Sequence, residues 1–310
     1  MISVVVIGKN EGPRLSACLE SISSALRVLS HEVIYVDSHS TDDSLERAKA
    51  LGARCFILED EHPTAGLGRL IGTKEARGEF LLFLDGDMRL LPGFAEKALM
   101  AIAQTDAVGA CGIRQDIYLK DGQEVDRNDN YFGCTQQRLC PEFGGALFIS
   151  AEALKTCGGW SGDTIACEEA ELYARLKDAG LKIVELPVPM IEHLDSVRDN
   201  RGLLGVFFSR RRLGEGQALR CAMKQKKAGA YIRHEQLKFA FYALDLLAVL
   251  LALLVPGMGL TLLCTLESMQ LGYLLAKGRP RAFVSQKLFF FAFPAGLCTY
   301  RVRSRGYQPY

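Results

Sequence analysis

The ten cysteines include no C-x-x-C pair, and the nearest spacing, Cys134 to Cys140, lacks the clustered histidines that would complete a zinc site. Reduced, mostly buried thiols are the expectation. The opening apolar run, Ile2 to Ile7, has no basic stretch or small-residue cleavage site around it, so no signal peptide is read and the body is expected to stay in the cytoplasm. No G-x-G-x-x-G follows that run, which removes the dinucleotide fingerprint. Nor is one sign of charge in excess: 37 basic and 36 acidic residues give a net charge of +1, which offers nucleic acid no footprint. Low-complexity and disordered classes are excluded by 49% hydrophobic and 24% charged residues.

The neutral total hides a polar arrangement. Residues 1–197 hold 19 basic and 31 acidic residues, 198–238 hold 11 and 3, and 239–310 hold 7 and 2. The expected partition is therefore an acidic body (1–197), a basic amphipathic collar (198–238) and an apolar, membrane-associated helical tail (239–310). Leu246 to Leu266 is 21 residues without a formal charge, long enough for a bilayer, but Pro256-Gly257-Met258-Gly259 interrupts it. Two helices folded as a hairpin, about Lys238 to Val255 and Met258 to Ala276, are expected instead. A third apolar stretch, Phe283 to Tyr300, contains Lys287 and Pro294 and reads as interfacial. The collar, with Arg210-Arg211-Arg212, Arg220, Lys224, Lys226, Lys227, Arg233 and Lys238, places this end at the cytoplasmic face of the inner (plasma) membrane, and Lys277, Arg279 and Arg281 put the far end of the hairpin on the same side.

The body reads as α/β. Ile2 to Ile7 is a strand buried on both faces, followed by a turn at Gly8 to Pro13 and a helix with Leu15, Leu19, Ile22 and Leu26 on one side. A strand at Val33 to Val36 ends in Asp37, Ser38 to Ser44 caps a helix through Leu51, and Arg54 to Leu58 is the third strand of a β-α-β-α-β series. Ligands of such sheets gather at the carboxyl ends of the strands. After a helix from Leu67 to Ala76, the strand Phe80 to Leu84 ends in Asp85-Gly86-Asp87. Two carboxylates at the mouth of a buried strand repel unless a hard cation or a diphosphate-metal complex lies between them. The segment from Cys111 to Leu139, with Tyr118, Asp126 to Asn130 and Tyr131, reads as a loop without a chemical code.

Taken in order, these landmarks resemble the family 2 glycosyltransferases of the GT-A fold over roughly Met1 to Asp195. They are the opening strand into Asn10-Glu11, Asp37 to Asp42, Arg69 in a helix leading to Ala76-Arg77-Gly78-Glu79, and Asp85-Gly86-Asp87. Gly144-Gly145-Ala146, Gly158-Gly159-Trp160 and the run Glu168-Glu169-x-Glu171-Leu172-x-x-Arg175 follow. The resemblance implies a GT-A nucleotide-binding mixed sheet flanked by helices and an inverting, metal-dependent transfer of sugar from a nucleoside diphosphate (UDP, GDP or dTDP). The acceptor is expected to be membrane-associated, a polyprenyl-phosphate, lipid-linked oligosaccharide or saccharide. It assigns Ile7, Lys9 and Glu11 to the ribose and base, Asp37 with Ser38 to the base edge, and Arg69 and Gly86 to the diphosphate side. Asp85, Asp87 and His193 are implied as ligands of Mn2+ or Mg2+. Glu169 is implied as the general base beside Glu168, although relatives usually carry Asp there and the extra methylene moves the carboxylate by about one bond length. Trp160 is expected either to face the acceptor or to anchor the core. Two alternatives stay open at this stage: a nucleotidyltransferase, whose G-x-G-x-R-L letters occur at Gly66-Leu67-Gly68-Arg69-Leu70 but far from the first strand, and a non-catalytic nucleotide-binding membrane protein.

Overall fold

β1 (Ile2–Gly8) is buried along six of its seven residues in the computed structural model, which describes residues 1–196, 209–276 and 280–310. Its side chains alternate with the two-residue period of a strand. Val4 and Val6 pack under α1 (Pro13–Ala25), with Leu15, Leu19 and Ile22, whereas Val5 and Ile7 pack on the opposite side with Leu67 and Ile71. This two-sided core explains the uninterrupted apolar run.

Parallel to β1 lie β2 (His31–Asp37) and β4 (Phe80–Asp85), and β3 (Arg54–Leu58) runs parallel to β2. The intervening helices are α2 (Ser44–Ala50) and α3 (Ala65–Glu75). The expected β-α-β-α-β start is thus present, with boundaries moved by one to three residues. Beyond β4 the sheet becomes mixed. β9 (Leu147–Ser150) pairs antiparallel with both β4 and β6 (Ala107–Lys120), and β10 (Lys182–Ser196) runs parallel to β6 and antiparallel to the short β5 (Met88–Leu90). α4 (Phe94–Gln104), α5 (Ala151–Thr156) and α6 (Glu168–Asp178) flank it.

The expectation of a loop from Cys111 to Leu139 is corrected. β6 runs through to Lys120 and returns as β7 (Gln123–Asn128), and a two-residue strand, β8 (Arg138–Leu139), pairs with β10. The turn is Asp121-Gly122, both at positive φ (52° and 80°), the backbone that a tight hairpin requires.

Contacts divide the chain into two compact units, Met1–Leu203 with Arg301–Tyr310, and Leu204–Tyr300. In the first unit the chain end forms β11 (Tyr307–Pro309), antiparallel to the edge strand β3. The second unit is helical. A 3-10 turn at Arg210–Leu213 leads to α7 (Gly214–Lys224) and α8 (Ala228–His234), then to α9 (Gln236–Leu254), α10 (Pro256–Ala276) and α11 (Pro280–Thr299). The helix break expected at Pro256 is present. One polar cluster links three of these helices: Lys287 Nζ lies 2.7 Å from Asp245, 2.9 Å from Glu267 and 2.6 Å from Gln270 Oε1, joining α9, α10 and α11. Among the described residues no helix is long and apolar enough to cross a membrane. The boundary at 197/198 and the basic residues Lys277 and Arg279 lie outside the described residues. All ten cysteines are free thiols, most of them buried, as expected.

Candidate active site

Three glycines let α3 lean into the sheet. A Cβ on Gly72 would come within 2.2 Å of Val5 Cγ1, one on Gly68 within 2.9 Å of Ile7 Cγ2, and one on Gly66 within 2.1 Å of the Ser161 carbonyl oxygen. That close seat carries Arg69 beneath the carboxyl ends of β1 and β4, where it is 1% exposed. One edge of its guanidinium meets Asp85 (Nη2 to Oδ1, 2.9 Å), and Nη1 meets both Glu168 and Glu169 at 3.1 Å each. The Trp160 ring lies 4.9 Å from its central carbon, a cation-π contact inside the core. Arg69 therefore bridges residues that sequence reasoning placed on opposite sides of the reaction. Trp160, 2% exposed and set edge-on to Phe83 and Phe143, is the core anchor of the two expectations.

The electrostatics follow from one cation among three anions. Burial pulls the Arg69 pKa down, but the three carboxylates raise it further, so the guanidinium is held more firmly charged than usual. Burial, and next the neighbouring Glu169, push the Glu168 carboxyl up to about 7, against the pull of Arg69. Glu168 Oε2 is buried without a partner, whereas Glu169 remains half-buried at the start of α6. Cys167, which precedes the pair, holds a left-handed conformation (φ 66°) that turns the chain into the helix.

Asp85 and Asp87 separate. Asp85 ends β4 on the same face as Leu81 and Phe83, which is the α3 face, so the strand's alternation delivers it to Arg69. Asp85, implied by the resemblance as a metal ligand, here engages Arg69 through Oδ1. Asp87, past the Gly86 turn, stands beside β10, where His193 Nε2 lies 3.5 Å from its Oδ2, and the backbone pairing of Leu194 with Asp87 fixes that approach. The other ring nitrogen of His193 faces Asp116 Oδ1 at 3.0 Å, and Asp116 also accepts from Arg114 Nε at 2.7 Å. Burial lowers the His193 pKa, but its contacts with Asp116 and Asp87 raise it more, to about 9. Asp116 is a site residue that sequence reasoning missed; nothing in the chain links it to a histidine 77 residues later.

The site tests well for a divalent cation on two grounds. Asp87 Oδ1 is buried without a partner, and an imidazole oriented by a carboxylate behind it is the usual arrangement of a metal-ligating histidine. Among the described residues no three His, Cys, Asp or Glu side chains form a metal-holding cluster. Two protein ligands suit a cation that takes its remaining oxygens from substrate phosphates and water.

On the nucleotide side the outcome is divided. Glu11 overhangs Gly86, where a Cβ would sit 2.9 Å from its Cγ, and burial raises its pKa with added repulsion from Asp87 and Asp85. Lys9 is exposed in the adjoining turn, Ser38 donates its backbone N–H to the Gly8 carbonyl, and Gly86 donates to the Ile7 carbonyl at 2.8 Å. Ile7 itself is core. Asp37 is wholly buried and accepts from Tyr35 Oη (2.9 Å) and Ser40 N (2.7 Å). Asp37, which the resemblance assigns to a base edge, here holds the turn at Ser40. Gly66 to Leu70 lies inside α3 rather than in a loop after β1, which removes the nucleotidyltransferase reading of those letters.

Comparison with known proteins bears on the family and the fold. The family model for glycosyl transferase family 2 matches residues 3–154. A dolichol-phosphate mannosyltransferase of Pyrococcus furiosus is 28% identical over 125 residues, covering 39% of this chain and 34% of its own. A glucosyl-3-phosphoglycerate synthase of Mycolicibacterium paratuberculosis is 36% identical over 93 residues, 28% of each chain. This chain thus spans about a third of the length of these relatives or less. Among solved structures, a mannosyltransferase of Pyrobaculum calidifontis in complex with GDP-Man and Mn2+ superposes with a TM-score of 0.57 at 14% identity, over 96% of this chain and 87% of that one. GalNAc-T7 with UDP, GalNAc and Mn2+ gives 0.53 at 17% identity, over 63% and 43%. At such identities the likeness is one of fold, a GT-A mixed sheet flanked by helices.

Proposed function

The chain belongs to glycosyl transferase family 2 through residues 3–154, and we propose from that premise that it is an inverting glycosyltransferase taking its sugar from a nucleoside diphosphate. The observation that carries the reading is the single guanidinium of Arg69 joining Asp85, at the mouth of β4, to the Glu168–Glu169 pair. It ties the donor side of the cleft to the acidic pair.

In this reading Glu169 takes the proton of the acceptor hydroxyl. The acceptor oxygen forms a bond to the anomeric carbon from the face opposite the nucleotide, and the bond from that carbon to the diphosphate oxygen breaks, its electron pair leaving with the nucleoside diphosphate. One displacement inverts the centre. Of the pair, Glu168 is buried with Oε2 unpartnered, and Glu169, the half-buried member, is the one taken as the base. Asp87 and His193 would hold Mn2+ or Mg2+, and when bound the cation stabilises the charge that develops on the departing diphosphate. Asp116 orients His193, Arg69 holds Glu169 in place, and Glu11 and Lys9 border the nucleotide.

The proposed acceptor is lipid-linked, met at the cytoplasmic face of the plasma membrane through the C-terminal apolar helices. Support comes from the exposed leucines of α9, with Leu253 and Leu254 at 76% and 78%, and from the basic residues of the 3-10 turn, α7 and α8. The relative described as a dolichol-phosphate mannosyltransferase favours the same class.

The test is a thermal-shift screen of UDP-, GDP- and dTDP-sugars with Mn2+, followed by transfer assays with polyprenyl-phosphate and saccharide acceptors. A ligand at about 100 times its Kd adds about 2.7 kcal/mol to the folded state, so the true donor should raise the midpoint by several degrees. Asp87→Ala should abolish the metal-dependent part of that shift. No shift and no turnover with any donor, and no difference in Asp87→Ala, contradicts the reading.

A further inference from the structure

The chain end returns to the catalytic unit after the helical segment, and it does so by burying charge. Arg303, whose side chain is 5% exposed, lies 3.3 Å from Asp60 Oδ1, donates to the His62 carbonyl, and gives its backbone N–H to Asp163 Oδ1 at 3.0 Å. Ser304 N donates to Asp60 Oδ2 at 3.0 Å, and Arg305 Nη2 reaches Asp163 Oδ1 at 2.7 Å. Gly162 leaves room for Arg305: a Cβ there would collide with its guanidinium.

Burying such charges costs several kcal/mol per ion unless geometry and hydrogen bonds compensate. Attachment alone does not need them, because β11 already pairs with β3, and Tyr307 and Tyr310 reach Glu75 and Glu46. The arginines instead join two loops. Asp60 opens the loop that ends at Thr64, the cap of α3, whose hydroxyl accepts from Leu67 N (3.1 Å) and donates to the Gly162 carbonyl (2.9 Å). Asp163 lies in the loop between Trp160 and Glu168. One loop thus launches the helix that carries Arg69, and the other launches the helix that carries Glu168 and Glu169.

We propose that Arg303 and Arg305 are positioning residues for glycosyl transfer, clamping Asp60 to Asp163 so that Arg69 and the Glu168–Glu169 pair meet in register. The proposal rests on the glycosyltransferase reading for its kinetic arm only. A displacement of about 1 Å at reacting groups costs up to about 100-fold in rate.

Trp160, the only tryptophan, stacks on Arg69 and adjoins the Ser161–Asp163 loop, so its fluorescence reports the clamp without any substrate. The experiment compares the full-length wild type with Arg303→Ala, Arg303→Lys, Arg305→Gln and the control Tyr310→Ala, which removes contacts to Glu46 and Lys49 at the far end of the tail. In Arg303→Ala the Trp160 emission should move to longer wavelength with greater acrylamide quenching. kcat should fall about 10- to 100-fold with donor KM within about threefold, and Arg303→Lys should recover part of both. Arg305→Gln, at a half-exposed position that tolerates substitution, should shift both readouts in the same direction and decides the matter if Arg303→Ala does not fold. Tyr310→Ala should lower the melting temperature yet keep the wild-type emission and kcat. Folded Arg303→Ala or Arg305→Gln with unchanged emission and kcat overturns the proposal, as does a loss in Tyr310→Ala equal to theirs. A wild type inactive with every donor defeats the transferase reading instead, and the emission readout still decides the clamp.

Discussion

Arg69 carries one positive charge among Asp85, Glu168 and Glu169, so the three anions are only partly compensated, and burial bears hardest on Glu168. Its pKa is raised on folding, so the stability it contributes is complete below the unfolded carboxyl's value of 4.5 and is lost as pH rises through about 7. Urea midpoints of the donor-free protein should therefore fall over that window, and Glu168→Gln should flatten this part of the profile. A slope that survives the substitution belongs to other groups. Asp85, Asp87, Glu168 and Glu169 stand out in the sequence because they lie beside the end of a strand or the start of a helix, and their order along the chain matches a known pattern. The role of Arg69 was not legible, since its direction depends on how closely α3 approaches β1. Asp116 was hidden for a similar reason: a carboxylate in the middle of β6 acquires meaning only when the parallel register sets His193 of β10 opposite it.

α3 shows why an element can be read correctly and still be misjudged. Gly66, Gly68 and Gly72 weaken its helical propensity, and each is there because the neighbouring backbone or side chain leaves no space for a Cβ. Gly72→Ala should destabilise the protein by about 1–3 kcal/mol through overpacking against Val5, seen as a melting temperature several degrees lower. A neutral or stabilised Gly72→Ala contradicts so tight a seat. The apolar runs of β1 and β4 identified themselves as strands buried on both faces. The β6–β7 hairpin was missed although Asp121-Gly122 is a strong hairpin signal, because the charged residues from Gln123 to Asn128, all exposed, lack the alternation that marks a half-buried strand.

For the molecule as a whole, the catalytic unit includes ten residues from the far end of the chain, a connection that no local pattern announces. The helical unit was legible through its uncharged run and its break at Pro256, while the pairing of Asp245, Glu267 and Lys287 needed three helices to be brought together. Its exposed leucines and basic residues predict binding to anionic phospholipid vesicles in a sedimentation assay. That binding should weaken as salt rises, because each basic residue near the surface contributes about 1 kcal/mol that ions screen. Equal recovery in the supernatant with and without anionic vesicles contradicts it. The central claim, that donor-binding groups and proton acceptor share one cleft, is tested most directly by Glu169→Gln: kcat for transfer and donor affinity measured side by side with Mn2+ present. The account predicts a kcat lower by about 10²- to 10⁴-fold with the donor still bound at nearly wild-type affinity. An unchanged kcat, or donor binding lost in step with it, contradicts the account.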